Sequence, residues 1–296
     1  AESVTAAVTV SGSDVIFGNA GGAYRSSDGV TWTASATYPM SGGKPVVSAA
    51  GVGSTVVAVG QSGLVSTSGD GGVGENLNKV AVSPSLFVAV GNAGKILTSA
   101  DGGASWASRG NGFGASAVLG VEYLGSLYLA FGENGKLATS TDGASWSDRT
   151  SGFGTTNIRA ATRAALKWVL AGDGGKITNS DDGVTWIERA SPFSGSSVRK
   201  LQYASGVAMG LSVSGALARS SDDGDTWVSV SLATAHDVLY ASGKWIAVTA
   251  SGIYTSADGV TWVLRSSLAY GALALSESGR VYAIESSTTA SVTAPT

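Results

Sequence analysis

Ser180-Asp181-Asp182-Gly183-Val184-Thr185-Trp186 carries its own punctuation. Ser and Asp side chains seek nearby backbone N–H groups, glycine accepts a positive φ, and Thr-Trp opens a β-prone run. The phrase therefore reads as a tight turn feeding a strand. It recurs as Ser26-Ser27-Asp28-Gly29-Val30-Thr31-Trp32, Ser140-Thr141-Asp142-Gly143-Ala144-Ser145-Trp146 and Ser256-Ala257-Asp258-Gly259-Val260-Thr261-Trp262. Ser99 to Trp106 repeats the plan with an extra Gly, and Ser220 to Trp227 with an extra Asp. A worn copy, Ser66-Thr67-Ser68-Gly69-Asp70-Gly71, lacks the Trp.

The spacing decides the architecture. Trp106, Trp146 and Trp186 stand 40 residues apart and Trp227 follows after 41, room for four short strands and their turns. Upstream of the quoted phrase, Ala164 to Gly172 and Gly175 to Asn179 read as two strands, and Thr185 to Arg189 as the last. With 43 Gly, 5 Pro and 13% charged residues, the composition suits many short strands joined by tight turns. The expectation is all-β: a single β-propeller domain over residues 1–296, with no linker dividing it. Repeats begin near Val4, Pro45, Leu77, Ser116, Asn157, Ser197, Ala235 and Tyr270. This gives eight blades, the second and eighth short; the alternative is seven, with the last unit as a closing segment.

The phrase resembles the Asp-box, or BNR, repeat of sialidases, sortilin-type receptors, photosystem II assembly factors and phage tail proteins, and the resemblance covers nearly the whole chain. It implies that the Asp accepts backbone N–H groups in the hairpin between a blade's third and fourth strands, that the Gly takes φ > 0, and that the Trp packs into the blade. Asp28, Asp101, Asp142, Asp182, Asp222 and Asp258 are then structural clips.

Function classes narrow by inventory. A net charge of −3 and a sequence pI near 5.2, with no Lys/Arg cluster, argue against nucleic acid. Zero cysteines and the single His236 leave no metal site, cofactor or Ser/His/Asp triad to expect. No apolar stretch reaches the roughly 20 residues of a membrane span, so no membrane insertion is expected. The Ser/Thr-rich ends suggest a processed chain or a domain of something longer.

Catalytic residues are poorly supplied. Sialidase chemistry needs three convergent arginines, a Tyr/Glu pair and an acid. Arg109, Arg149, Arg189 and Arg265 each lie three residues after a Trp, equivalent outer-strand positions and not a triad. The family's Arg-Ile-Pro segment is replaced by Gly21-Gly22-Ala23-Tyr24-Arg25. Glu122-Tyr123 is an adjacent acid and phenol, and Glu133, Asp173, Asp237 and Glu277 are the other acids outside the boxes that merit attention; no spacing singles them out.

In an up-and-down blade, the turns between strands two and three share a face with the connections between blades, opposite the Asp boxes. That face carries Asn19, Gln61, Asn92, Glu133 and Asp173 at one turn position, with Lys95, Lys136 and Lys176 after them. It also carries Phe113, Phe153 and Phe193, each seven residues after a box Trp. These residues are the candidate ligand-binding set; for the phenylalanines, plugging the seams between blades is the competing reading. The leading functional expectation is a non-catalytic recognition or structural propeller, extracellular or in a virion such as a phage tail. Its partners would be a cell-surface glycan or protein receptor and other subunits of the assembly. A sialidase-like glycoside hydrolase and an assembly-factor propeller are the alternatives.

Overall fold

A computed structural model describes residues 4–10, 13–18, 23–26, 33–34, 46–52, 55–60, 76–267, 272–275 and 281–284. They form six four-stranded sheets, each a sequential meander, and two two-stranded ones. The first strands of the four-stranded sheets begin at Val4, Leu77, Val118, Ile158, Val198 and Ala235; the two-stranded sheets begin at Val46 and Ala272. Helix among the described residues is confined to the three-residue 3-10 turns Glu133–Gly135 and Asp173–Gly175.

The Ile158 sheet shows why these sequences become strands. Its members are Ile158–Arg163, Trp168–Gly172, Ile177–Ser180 and Ile187–Arg189, paired antiparallel in order. Val169, Leu170 and Ala171 in the second strand are all fully buried, so the strand is apolar on both faces and lacks the alternation of a half-wet strand. The fourth strand is exposed at Ile187 and Glu188. The same gradient holds in the Leu77 sheet, where Phe87–Gly91 is wholly buried and Ala107–Ser108 is exposed. Burial of both faces of a second strand requires sheets stacked face to face, each covering its neighbour.

The chain divides into two compact units, residues 1–130, 140–147 and 274–296, and residues 131–139 and 148–273; the Val118 sheet contributes to both. In the first unit the strands Val4–Val10, Val46–Val52, Leu77–Val82 and Val118–Leu124 lie successively side by side. Val57 and Val59 of one sheet pack with Val80, Phe87 and Leu97 of the next. In the second unit Val169 and Ile177 pack with Phe193, Leu201 and Trp227, and Met209 and Leu211 with Val238 and Trp245. Each cluster fills the seam between consecutive sheets, and Trp106, Trp227 and Trp262 from the hairpins of the repeated phrase lie in those seams.

Two glycines show how tightly the turns close. A Cβ on Gly172 would lie 2.0 Å from the Asn157 carbonyl oxygen, because the end of the second strand crosses the approach to the first. Gly143, at φ +70°, would put a Cβ 2.5 Å from Leu86 Cδ2.

Candidate binding face

The repeated phrase builds a common clip around its Ser and Asp, and only the Ser256 copy among those described lacks the bond from its Trp Nε1. At Ser180, the hydroxyl accepts from Gly183 N at 2.8 Å and donates to Asp182 Oδ1 at 3.0 Å. Asp182 Oδ1 accepts Val184 N at 2.8 Å and Thr185 N at 2.7 Å, and Trp186 Nε1 donates to Gly183 O at 3.3 Å. Asp142 and Asp258 accept the same two backbone N–H groups. Where one residue is inserted, Asp101 and Asp222 each accept one of these backbone N–H groups, from Ser105 or Thr226, and the other oxygen takes that residue's hydroxyl at 2.5 Å. The hydroxyl compensates for the N–H that the longer loop carries away.

These hydrogen bonds favour the charged carboxylate. Bonds from the Ser145 and Ala144 amides hold Asp142 at about 2, those from Thr185 and Val184 hold Asp182 at about 2, and those from Thr261 and Val260 hold Asp258 at about 2. The Ser105 hydroxyl and amide hold Asp101 far below the usual carboxylate range. Acids so stabilised as anions are poor proton donors near neutrality. Asp28 lies outside the described residues.

The other acids of interest are held by cations. Glu122 pairs with Lys79 on the neighbouring first strand, while Tyr123 stacks on Tyr128 at 4.6 Å; successive strand residues face opposite ways, so acid and phenol do not converge. Asp237 is 2.7 Å from Lys200 Nζ. Asp225, which stands in its hairpin where Val184 stands in the preceding one, takes Lys167 Nζ on both oxygens at 2.7 and 2.8 Å, with Arg189 Nη2 at 2.7 Å and Asn179 Nδ2 at 2.9 Å. The arginines after each Trp reach back to their own third strand: Arg109, Arg149 and Arg265 donate through Nε to Thr98, Thr139 and Thr255, and Arg189 to Asn179. They form no convergent set. Glu277 lies outside the described residues.

Opposite the clips, the turns between strands two and three pack against the connections to the next sheet. Ser151 Oγ donates to Gly135 O at 2.6 Å and Asn111 Nδ2 to Gly94 O at 2.9 Å. The connections supply Phe113, Phe153 and Phe193, which are 1%, 1% and 3% exposed. This corrects the expectation that they bind a ligand: the rings offer no face to one. The connections press close on Gly94, Gly135 and Gly175, where an added Cβ would come within 3.1 to 3.3 Å of the Cβ of the corresponding Phe, and the apolar ring is worth more buried in a seam than held in water.

The turn residues themselves meet a feature that the sequence reading missed. First strands carry a bulge at their second residue: Thr5, Val47, Asn78, Arg159, Arg199 and His236 are the extra residues in the Val4, Val46, Leu77, Ile158, Val198 and Ala235 sheets. A bulge re-aims a side chain at the rim of a sheet, and the residue it meets lies 14 positions on. Asn78 Nδ2 donates to Asn92 Oδ1 at 3.1 Å. Arg159 grips Asp173 with Nε and with Nη2, the latter at 3.0 Å from Oδ2, and Asn157 Nδ2 adds a bond at 3.0 Å. The Arg159 guanidinium holds the Asp173 carboxyl below its ordinary value. Glu133 occupies the equivalent turn and contributes to the field at Arg159. In the next two sheets the turn residues are Val213 and Ala250, both apolar. Asn19 and Gln61 lie outside the described residues. Lys176 Nζ bridges to Glu188 at 3.0 Å and sits 5.8 Å over the Phe153 ring. Regular offsets of 14 were readable in the sequence, but a bulge leaves no composition signal of its own.

No known family model matches the chain, and no curated protein is similar to it in sequence. Solved structures are similar in fold. YCF48 bound to D1 peptide shares 16% identity over 90% of this chain and 92% of that one, at a TM-score of 0.63. Virginiamycin B lyase from Staphylococcus aureus shares 12% over 96% and 92%, at 0.64. The WD40 β-propeller domain of Doa1 shares 12% over 96% and 90%, at 0.59. The fold is a β-propeller.

Proposed function

We propose that the chain is an Asp-box propeller that serves as a non-catalytic recognition module of an extracellular or virion assembly and binds a cell-surface glycan through its turn face. The carrying observation is the contrast between faces. The clips repeat one hydrogen-bond design from sheet to sheet, whereas the bulge and turn positions change chemistry at each sheet: Asn with Asn, Arg with Asp, Arg with Val. A repeat scaffold that holds its framework constant and varies one rim is suited to reading an irregular ligand. Capture of whole cells and of an immobilised glycan array tests the reading. Retention above that of a heat-denatured control, abolished by free glycan, is expected; no retention overturns it. Retention on a deglycosylated protein receptor would replace glycan with protein, and turnover of a chromogenic glycoside would replace recognition with hydrolysis.

A further inference from the structure

The Val198 sheet repeats the Arg159 site with one part missing. In the Ile158 sheet the bulged Arg159 holds the carboxylate of Asp173, whose own N–H donates to Asn157 O at 3.0 Å. In the Val198 sheet the bulged Arg199 has the same place, and Val213 N donates to Ser197 O at 2.8 Å, which puts Val213 in the position of Asp173. Val213 is 61% exposed, an apolar side chain at the surface where its neighbour has an anion.

Arg199 is therefore a carboxylate fork without its carboxylate. Its Nε donates weakly to Ser212 O at 3.4 Å, and its Nη2 to His236 O. Both acceptors are backbone carbonyls, which orient the guanidinium and leave its charge uncompensated. Of the five N–H donors of a guanidinium, three have no partner among the described residues. The nearby acids are already neutralised, Asp173 by Arg159 and Asp237 by Lys200. Beside the fork lies a hydroxyl cluster: Ser214 Oγ is 2.9 Å from both Ser196 Oγ and Ser212 Oγ.

We infer that Arg199, Val213, Ser196 and Ser214 form a site for the carboxylate of an acidic saccharide. Arg199 takes the carboxylate through Nη1 and Nη2, the two-point grip for which guanidinium is suited. The serine hydroxyls both donate and accept, matching a polyhydroxylated ring, and Val213 offers an apolar contact for the C–H face of a sugar. The neighbouring sheet supplies the same group from within the chain, which is why carboxylate is the expected anion. This inference rests on the glycan-recognition reading and specifies its ligand.

The test uses the full chain and a panel of carboxylate-bearing saccharides, each beside its methyl ester, together with a short peptide as free acid and as amide. Native chain is expected to bind at least one saccharide acid at least tenfold more tightly than its ester. Arg199→Gln is expected to weaken that binding at least tenfold. Val213→Asp, which supplies the missing carboxylate in cis, is expected to do the same, whereas the uncharged Val213→Asn loses less than threefold. Both positions are at the surface, and melting temperatures check that the fold is kept; the two loss variants are independent. Equal binding of acid and ester, binding of the peptide acid alone, or a Val213→Asp variant that binds like native would overturn the inference. Retention of neutral glycans only would overturn it while leaving glycan recognition standing. Failure of the chain to retain any glycan removes both.

Discussion

Replacing Phe153 by alanine separates a seam plug from a ligand contact. The ring is 1% exposed, wedged against the backbone of Gly135, whose missing Cβ would lie 3.1 Å from Phe153 Cβ, and covered by Lys176 5.8 Å from its centroid. A buried phenylalanine removes about 150–250 Å² from water, of which the ring is the larger part; at ~25 cal/mol per Å² the lost transfer energy is roughly 3 kcal/mol. The backbone on either side closes the space poorly, so a cavity cost is added and the expected loss is about 3–5 kcal/mol. Phe153→Leu refills most of the volume and is expected to cost about 1 kcal/mol. Urea unfolding followed by tryptophan fluorescence measures both. The midpoint for Phe153→Ala should fall at unchanged slope, which marks lost stability and not a changed unfolded state. Ligand affinity of the folded fraction, measured in the cold, should remain within threefold of native. A Phe153→Ala chain as stable as native but unable to bind would refute the burial argument and restore the ring as a contact.

Three further outcomes follow from the geometry. Asp142, Asp182 and Asp258 titrate at about 2 in the folded chain, below the ~3.9 of a free aspartate, so their contribution is complete above pH ~4 and lost as pH falls through about 2. Stability of the native chain should drop across that window, and the triple Asn variant, already lacking the charges, should show a flatter acid limb. Gly172→Ala should cost more than about 3 kcal/mol, since its Cβ meets a backbone oxygen at 2.0 Å, while Gly174→Ala, at φ +67° with open space, should cost about 1–2 kcal/mol; equal losses would show that sterics are not the cause. Asp225→Asn should destabilise by about 1–2 kcal/mol after discounting for solvent screening, and the gap should narrow in about 1 M salt as Lys167 and Arg189 are screened.

The sequence announces what local hydrogen bonding dictates and hides what register dictates. Ser180 to Trp186 could be read as a turn because every interaction in the clip lies within a few residues: Ser180 to Gly183, Asp182 to Thr185, Trp186 to Gly183. Strand burial was legible for the same kind of reason, since an unbroken run such as Val169-Leu170-Ala171 has no polar face to give to water. The phenylalanines were recognised as a register-bound repeat, but aromatic residues on glycine-rich loops suit both a surface contact and a plug. Burial distinguishes them, and burial depends on the approach of the next sheet.

The bulge was invisible for a deeper reason. Arg159 and Asp173 stand 14 residues apart, and they meet because one extra residue in the first strand turns a side chain that would otherwise alternate inward. Once the register is known, the offset becomes a rule that can be carried along the chain: Asn78 with Asn92, Arg159 with Asp173, Arg199 with Val213. Clip residues are fixed by the hairpin they close and leave little room for variation. A bulge residue at the rim closes nothing, so its partner can be an amide, a carboxylate or, at Val213, no polar group at all. The freedom to leave that place empty of charge gives the turn face somewhere to receive a charge from outside.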